Sequence, residues 1–276
     1  MLIWLVLIPL IAAALIGLCK APARPTALLS ASLTLALGIW ALVSFDGCSS
    51  CWSRFEGMDL QLTLAPALSK VMLLLTILVT FATVLGTNPP QGGEASWYNS
   101  ALLISAGATG AFLSDNIISF FAFHELALIP TFVMIGLYGR GDRRTTAWRA
   151  TLYLGLASMV LLAALLMIGT QAGFTFSGLK DFMASGRELA HAELIGALLI
   201  AGFGTLISLF PFHSWAAPAY ASAPAPVAMM HAGVLKKFGL YGLFMFQPLM
   251  ETGFLPWTNI LLVLLVCNVI WVGYVT

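Results

Sequence analysis

In the hydrocarbon core of a membrane no water is available to hydrogen-bond exposed peptide groups, so a chain that enters it must satisfy its backbone within helices or a closed barrel. This 276-residue sequence enters it repeatedly. Apolar runs of about 20 residues recur from end to end, the length that carries a helix across a core of about 30 Å. They lack the strict alternation of apolar and polar residues that marks a membrane barrel. Only 8% of the residues are charged, against about 25% in soluble domains. The expected fold class is therefore all-α, a polytopic transmembrane helix bundle. Nine spans can be marked, at about 2–19, 26–45, 62–86, 99–113, 116–138, 147–170, 193–210, 224–247 and 257–275. The first lacks a basic leader and a small-residue cleavage site, and reads as a retained helix rather than a signal peptide. The last stops at WVGYVT with no polar flank, and reads as an interrupted chain rather than a natural end.

Basic residues in short loops set the orientation of such a chain. Lys20 and Arg24 follow the first span, and Arg140, Arg143, Arg144 and Arg149 follow the fifth. The loops between them are mixed or acidic, with Asp46, Arg54, Glu56, Asp59, Asp115 and the segment from Lys180 to Glu193. The N-terminus is therefore expected to face outward from a bacterial inner (cell) membrane, with the basic loops in the cytoplasm. A net charge of +1 argues against nucleic acid as a partner and leaves the lipid bilayer as the first one.

Within this apolar chain the fifth span, NIISFFAFHELALIPTFVMIGLY, carries Glu125 near its middle beside His124. A charge at the centre of a membrane helix costs about 2.5 to 3.5 kcal/mol, so such a group is usually neutralised, paired or set in a hydrated path. The eighth span offers His231, Lys236 and Lys237. Successive residues on a helix point about 100° apart, so only one of the two lysines can face a given neighbour. The residues alone leave the choice of lysine open. At an effective dielectric near 20, a carboxylate and an ammonium about 4 Å apart attract by roughly 4 kcal/mol. That is comparable with the cost of burial, so a nearby cation or proton can switch the acid. A static ion pair holding helices together is the competing reading. Lys70, in the third span, reads as a snorkelling or structurally paired lysine. Pro211 is expected to break the seventh span where it arrives. Cys48 and Cys51 form a C-x-x-C in a loop placed outside, where a local disulfide or two free thiols are expected; Cys19 and Cys267 read as packing residues. The histidines at 124, 213 and 231 match no compact metal-ligand spacing, and no nucleophile elbow, phosphate loop or dinucleotide fingerprint is present.

Three stretches then resemble one family. MLIWLVLIPLIAAALIGL followed by ALLSASLTLALGIWAL resembles its first two helices; FFAFHELALIPTFVMIGLYG resembles its fifth; and PFHSWAAPAYASAPAPVAMMHAGVLKKFGLYG resembles its P-x-H-x-W, A-P-[TA] and A-G-x-L-x-K-x-x-x-Y-G segments. The family is the antiporter-like subunits of respiratory complex I (NADH:quinone oxidoreductase), and the resemblance is strongest to its chain M type. It implies about fourteen helices built around two inverted repeats, of which this chain carries the first and enters the second. Residues 1–98 would then form an N-terminal three-helix region, 99–250 the first five-helix repeat, and 251–276 the start of the next. The resemblance implies a proton-translocating subunit of a redox-driven pump, with Glu125 modulating a proton-carrying lysine at Lys237, and His213 and Pro211 marking a broken helix. His124, His231, His213, Lys236 and Lys70 would be accessory.

It also implies that no cofactor or metal is held in this chain, that its partners are other membrane subunits of a respiratory complex, and that quinone is reached only through neighbouring subunits. One departure bears on mechanism. The family's broken helix reads K-x-P-x-x-P-x-H, whereas the same frame here runs from Leu206 to His213, without the lysine or the first proline. Likewise P-D-A-H is replaced by Ala217, Pro218, Ala219 and Tyr220. A subunit of a multi-subunit sodium/proton antiporter and a non-pumping structural subunit are the alternatives.

Overall fold

The computed structural model describes residues 1–44, 49–55, 58–89, 92–250 and 257–275. The first spans become α1 (Ile3–Gly17) and α2 (Ala23–Ser44), followed by a hairpin of β1 (Ser49–Phe55) and β2 (Met58–Thr63), then α3 (Ala67–Gly86), α4 (Glu94–Leu113) and α5 (Ile117–Tyr138). The second half holds α6 (Arg143–Ala172), a short α7 (Phe176–Ala184), α8 (Ala192–Ile207), a short α9 (Ala216–Ser222), α10 (Ala225–Met230), a π turn (His231–Leu235), α11 (Lys236–Met250) and α12 (Trp257–Val275). Five described helices, α2, α3, α5, α6 and α12, are long and apolar enough to cross a membrane on composition and length, and the expected helix bundle is what forms.

The centre is α4. Its sequence, EASWYNSALLISAGATGAFL, is rich in small residues and has no preferred apolar face, the pattern of a helix buried all round. Every residue from Ser100 to Leu113 except Leu103 is buried, and α1, α2, α3 and α5 all pack against it. Small residues let backbones approach closely where no hydrophobic drive separates helix from lipid. A Cβ at Gly107 would stand 2.6 Å from the Phe123 carbonyl oxygen, and one at Gly110 2.5 Å from the Phe123 ring. Gly239 serves the same purpose between α11 and α8, where a Cβ would lie 2.6 Å from the carbonyl of Phe203.

Several boundaries differ from the hydropathy reading. The third span does not begin at 62, because Leu62 belongs to β2 and bridges to Ser114. Lys70 consequently lies in the first turn of α3, half-buried, rather than well inside a span. The fourth span extends back to Glu94 because Trp97 and Tyr98 are buried, the Tyr98 hydroxyl donating to the Thr87 carbonyl at 3.2 Å. The seventh span ends at Ile207, before Pro211. Ser208 takes a left-handed conformation (φ 61°) and Leu209 N–H turns back to the Gly204 carbonyl at 2.7 Å. Pro211 thus sits within an unwound segment that has already begun. Cys19 is exposed at the end of α1 rather than packed, and Cys267 is partly buried. The Cys48 and Cys51 pair reaches outside the described residues at Cys48.

At one end of the bundle the hairpin, the α4–α5 turn and the entry to α7 lock together. Asp115 N–H donates to Gln61 O at 2.9 Å, Phe176 N–H donates to Asp115 O at 2.7 Å, and Ile117 N–H donates to Phe174 O at 2.8 Å. The Ser177 hydroxyl donates to the Asp115 carboxylate at 2.8 Å. At the other end Tyr138 donates to Gly93 O at 2.7 Å, and Arg140 and Ser222 exchange bonds at 2.7 and 2.8 Å, tying the α5–α6 loop to the end of α9. Because α4 and α5 touch through backbone, Gly107→Leu should destabilise by about 1 to 3 kcal/mol through overpacking. Gly155→Ala on α6, where a Cβ meets nothing within 4 Å, should stabilise by up to about 1 kcal/mol. Thermal unfolding of the purified protein in detergent reads both.

Candidate functional site

Helix α5 is started by Asn116, whose side-chain oxygen accepts from Ile118 N–H at 2.9 Å and Ser119 N–H at 3.1 Å, satisfying two amides that a helix start leaves open. From that fixed start, Glu125 falls near the midpoint of the 22-residue helix. Its Oε1 lies 3.3 Å from Nδ1 of His124, a residue with no exposed side-chain surface, while the Glu125 side chain is 32% exposed. The His124 ring packs edge-on against Phe238 of α11 at 5.0 Å. The buried hydroxyl of Ser158 on α6 is also within electrostatic reach of the carboxylate. Among the described residues no lysine or arginine lies within 4 Å of Glu125. The contact Glu125 makes is with the neighbouring imidazole rather than in a static ion pair with a lysine.

Beside the carboxylate is a cavity of about 150 Å³, walled by Glu125, Leu128 and Thr131 of α5, by Thr151 and Leu154 of α6, and by His231. Both threonine hydroxyls donate to their own helix, Thr131 to Ala127 O at 3.1 Å and Thr151 to Ala147 O at 2.9 Å, so their lone pairs remain available. His231 comes from a different part of the chain. It is 4% exposed, its Nδ1 is 3.3 Å from the Tyr220 hydroxyl of α9, and its Nε2 has no hydrogen-bond partner.

The break after α8 positions this second group. Trp215 is 1% exposed and its indole N–H donates to the Thr205 carbonyl at 3.0 Å, pinning the far side of the unwound segment to the end of α8. Its ring lies 5.4 Å from that of His231, and Tyr220 lies 5.3 Å away at a steep angle. Lys236 completes the cluster, its ammonium 4.8 Å from the Tyr220 ring centroid and 5.9 Å from that of Trp215. In an α-helix, residues five apart point about 140° away from each other. Here the Lys236 N–H donates to the His231 carbonyl five residues back, the wide turn of a π-helix, which brings the two side chains toward one face. Lys237 is half-buried on the adjoining face and makes no ion pair among the described residues.

The remaining sequence candidates lie elsewhere. His213 stacks on Phe210 at 5.7 Å and meets Trp271 of α12 at 6.0 Å, away from Glu125. Pro211 is exposed in the unwound segment. Trp215 and Ser158 were not singled out from sequence. Trp215 had a signal in the H-x-W that follows the proline, whereas Ser158 and the π turn had none.

The arrangement, a membrane bundle with a broken helix feeding aromatic and basic groups toward a mid-helix glutamate, defines the class of antiporter-like membrane subunits. The family described as NADH:quinone oxidoreductase/Mrp antiporter, TM matches residues 114–275, more than half of the chain. The chain belongs to this family, and within it stands with antiporter-like subunits of the chain M or chain 4 type. A NAD(P)H-quinone oxidoreductase chain 4 of Microcystis aeruginosa is 32% identical over 211 residues, covering 74% of this chain and 37% of the relative. One from Picosynechococcus is 30% identical over 227 residues, covering 80% and 41%. The chain thus spans about two-fifths of the length of these curated relatives. Among solved structures, a chain of respiratory complex I from Thermus thermophilus with bound NADH superposes with a TM-score of 0.78 at 26% identity, covering 90% of this chain and 53% of that one. A chain of the Mrp complex from Dietzia shares the fold, with a TM-score of 0.79 at 22% identity, covering 94% and 29%.

If the indole bond of Trp215 is what holds the break closed, Trp215→Phe should cost about 0.5 to 1.5 kcal/mol by removing the indole donor and leaving the Thr205 carbonyl only the Ser208 N–H at 3.1 Å. The drop in thermal midpoint should exceed that of Trp148→Phe, a change at an exposed tryptophan of α6.

Proposed function

We propose that this chain is a proton-translocating, antiporter-like membrane subunit of an NADH:quinone oxidoreductase or a related redox-driven ion pump. One observation carries the reading: Glu125, near the middle of a membrane helix, and a buried His231 with an open Nε2 share one cavity, whose mostly apolar wall also carries the hydroxyls of Thr131 and Thr151. A water occupies about 30 Å³ of liquid and needs two to four polar partners. The cavity offers both the room and the groups, so it can hold a hydrated path between carboxylate and imidazole.

In this reading Glu125 is a proton-binding acid whose charge is balanced closely enough to be switched. The contact with His124 offsets part of a burial cost of roughly 2.5 to 3.5 kcal/mol. A cation about 8 Å away would still shift it by roughly 2 kcal/mol at an effective dielectric near 20. Lys237, the lysine matched by the resemblance, is the assigned proton carrier of α11. Redox energy would arrive through neighbouring membrane subunits. The chain would hold no cofactor of its own, so its part in the enzyme is translocation rather than electron transfer. The basic ends of α1 and α5 are assigned to the cytoplasm of a bacterial inner membrane and the N-terminus to the outside.

The shared fold of the Mrp chain supports a second reading, a subunit of a multi-subunit sodium/proton antiporter. Copurification decides between them. Quinone-reductase chains favour the first, small antiporter subunits the second. In vesicles carrying the assembled complex, Glu125→Gln and Lys237→Ala should each lower the number of protons moved per electron. Wild-type ratios in both variants would remove these residues from the path.

A further inference from the structure

The geometry points to Lys236, not only its neighbour Lys237, as an exchangeable proton carrier, linked through Tyr220 to His231 and so to the Glu125 cavity. This rests on the proton-translocating reading above and adds to it a cation for the broken-helix region, where position 206 is a buried leucine.

Four observations meet here. The Lys236 ammonium lies over the faces of Tyr220 and Trp215 and makes no ion pair among the described residues. An ammonium held by aromatic faces keeps its attraction to the rings without a carboxylate to fix its proton. Trp215, the other wall of this cage, is bonded to the Thr205 carbonyl, so the ammonium is delivered beside the segment that contains Leu206. A Cβ at Gly239, three residues after Lys236, would stand 3.0 Å from the Leu206 Cβ, so α11 runs directly against that position. Finally, the π turn that puts Lys236 toward His231 sits in mid-helix, where such turns cluster at functional sites.

The transfer balances. A water bridging ammonium and phenol hands the Tyr220 hydroxyl a proton as that hydroxyl gives its own to Nδ1 of His231. The imidazole then releases a proton from Nε2 into the cavity, where the Glu125 carboxylate accepts it. Lys236 ends as a neutral amine, Glu125 as a neutral acid, Tyr220 unchanged and His231 as its other neutral tautomer. Lysine is suited to this because its ammonium gives up a proton readily when buried, whereas a guanidinium does not.

The test uses the full-length chain in its assembled complex, in inverted membrane vesicles driven by NADH with a quinone acceptor. Proton uptake is read against electron flux, and assembly is checked on native gels. Lys236→Arg keeps the charge and the aromatic contact but cannot release its proton. A carrier role therefore predicts that Lys236→Arg and Lys236→Met both lose proton uptake per electron, and that Tyr220→Phe lowers it while the complex still assembles. Wild-type uptake in Lys236→Arg would overturn the proposal and leave Lys236 a fixed charge. If Glu125→Gln loses uptake while both Lys236 variants keep it, the translocating function stands and only this carrier falls. If the wild-type complex moves no protons, both fall together.

Discussion

A gap in a helix within a membrane is tolerable only if the chain itself covers the peptide groups it exposes. The segment from Ser208 to Ser214 is such a gap, and the indole of Trp215 is its main closure. It donates to the Thr205 carbonyl at the end of α8 together with the Ser208 N–H, while Leu209 N–H satisfies that of Gly204. The ring that closes the gap also forms a wall of the Lys236 cage and packs against His231. Stability of the break and the placing of the titratable groups are therefore one interaction. The break cannot be altered without moving the site.

Electrostatic balance follows from that arrangement. No carboxylate approaches Lys236 within ion-pair distance among the described residues, and no lysine approaches Glu125. Opposite charges in direct contact inside a membrane would attract by several kcal/mol and hold their protons in place. Separated by an imidazole, a phenol and a cavity of about 150 Å³, they sense one another more weakly. Their separation keeps each charge state within reach of a change next door. The small-residue packing of α4 gives this loose electrostatics a rigid frame, because the Gly107 and Gly110 contacts leave α5 little freedom to slide.

The solved relatives fit the same description at the level of fold. A complex I chain and an Mrp chain superpose on nearly all of this one. One bundle architecture thus occurs in chains of both assemblies.

Much of this was legible in the amino-acid sequence. Apolar length determined the helices of the bundle, since a hydrated alternative does not exist in lipid, and the isolated acid in the fifth span marked the site because burial makes such a residue costly. The proline at 211 marked the broken helix to within a few residues, although the turn begins earlier, at the left-handed Ser208. The hairpin at 49–63 escaped hydropathy because its strand Met58–Thr63 runs up to the apolar residues that open the next span. Which aromatic rings Lys236 meets was decided by tertiary structure alone. Helical periodicity places His231 and Lys236 on different faces. The π turn, together with two aromatic rings brought in by a distant break, places them on one. Periodicity is a property of neighbours along the chain, whereas a widened turn and a cavity between α5 and α6 are properties of how segments far apart in sequence come to rest against one another.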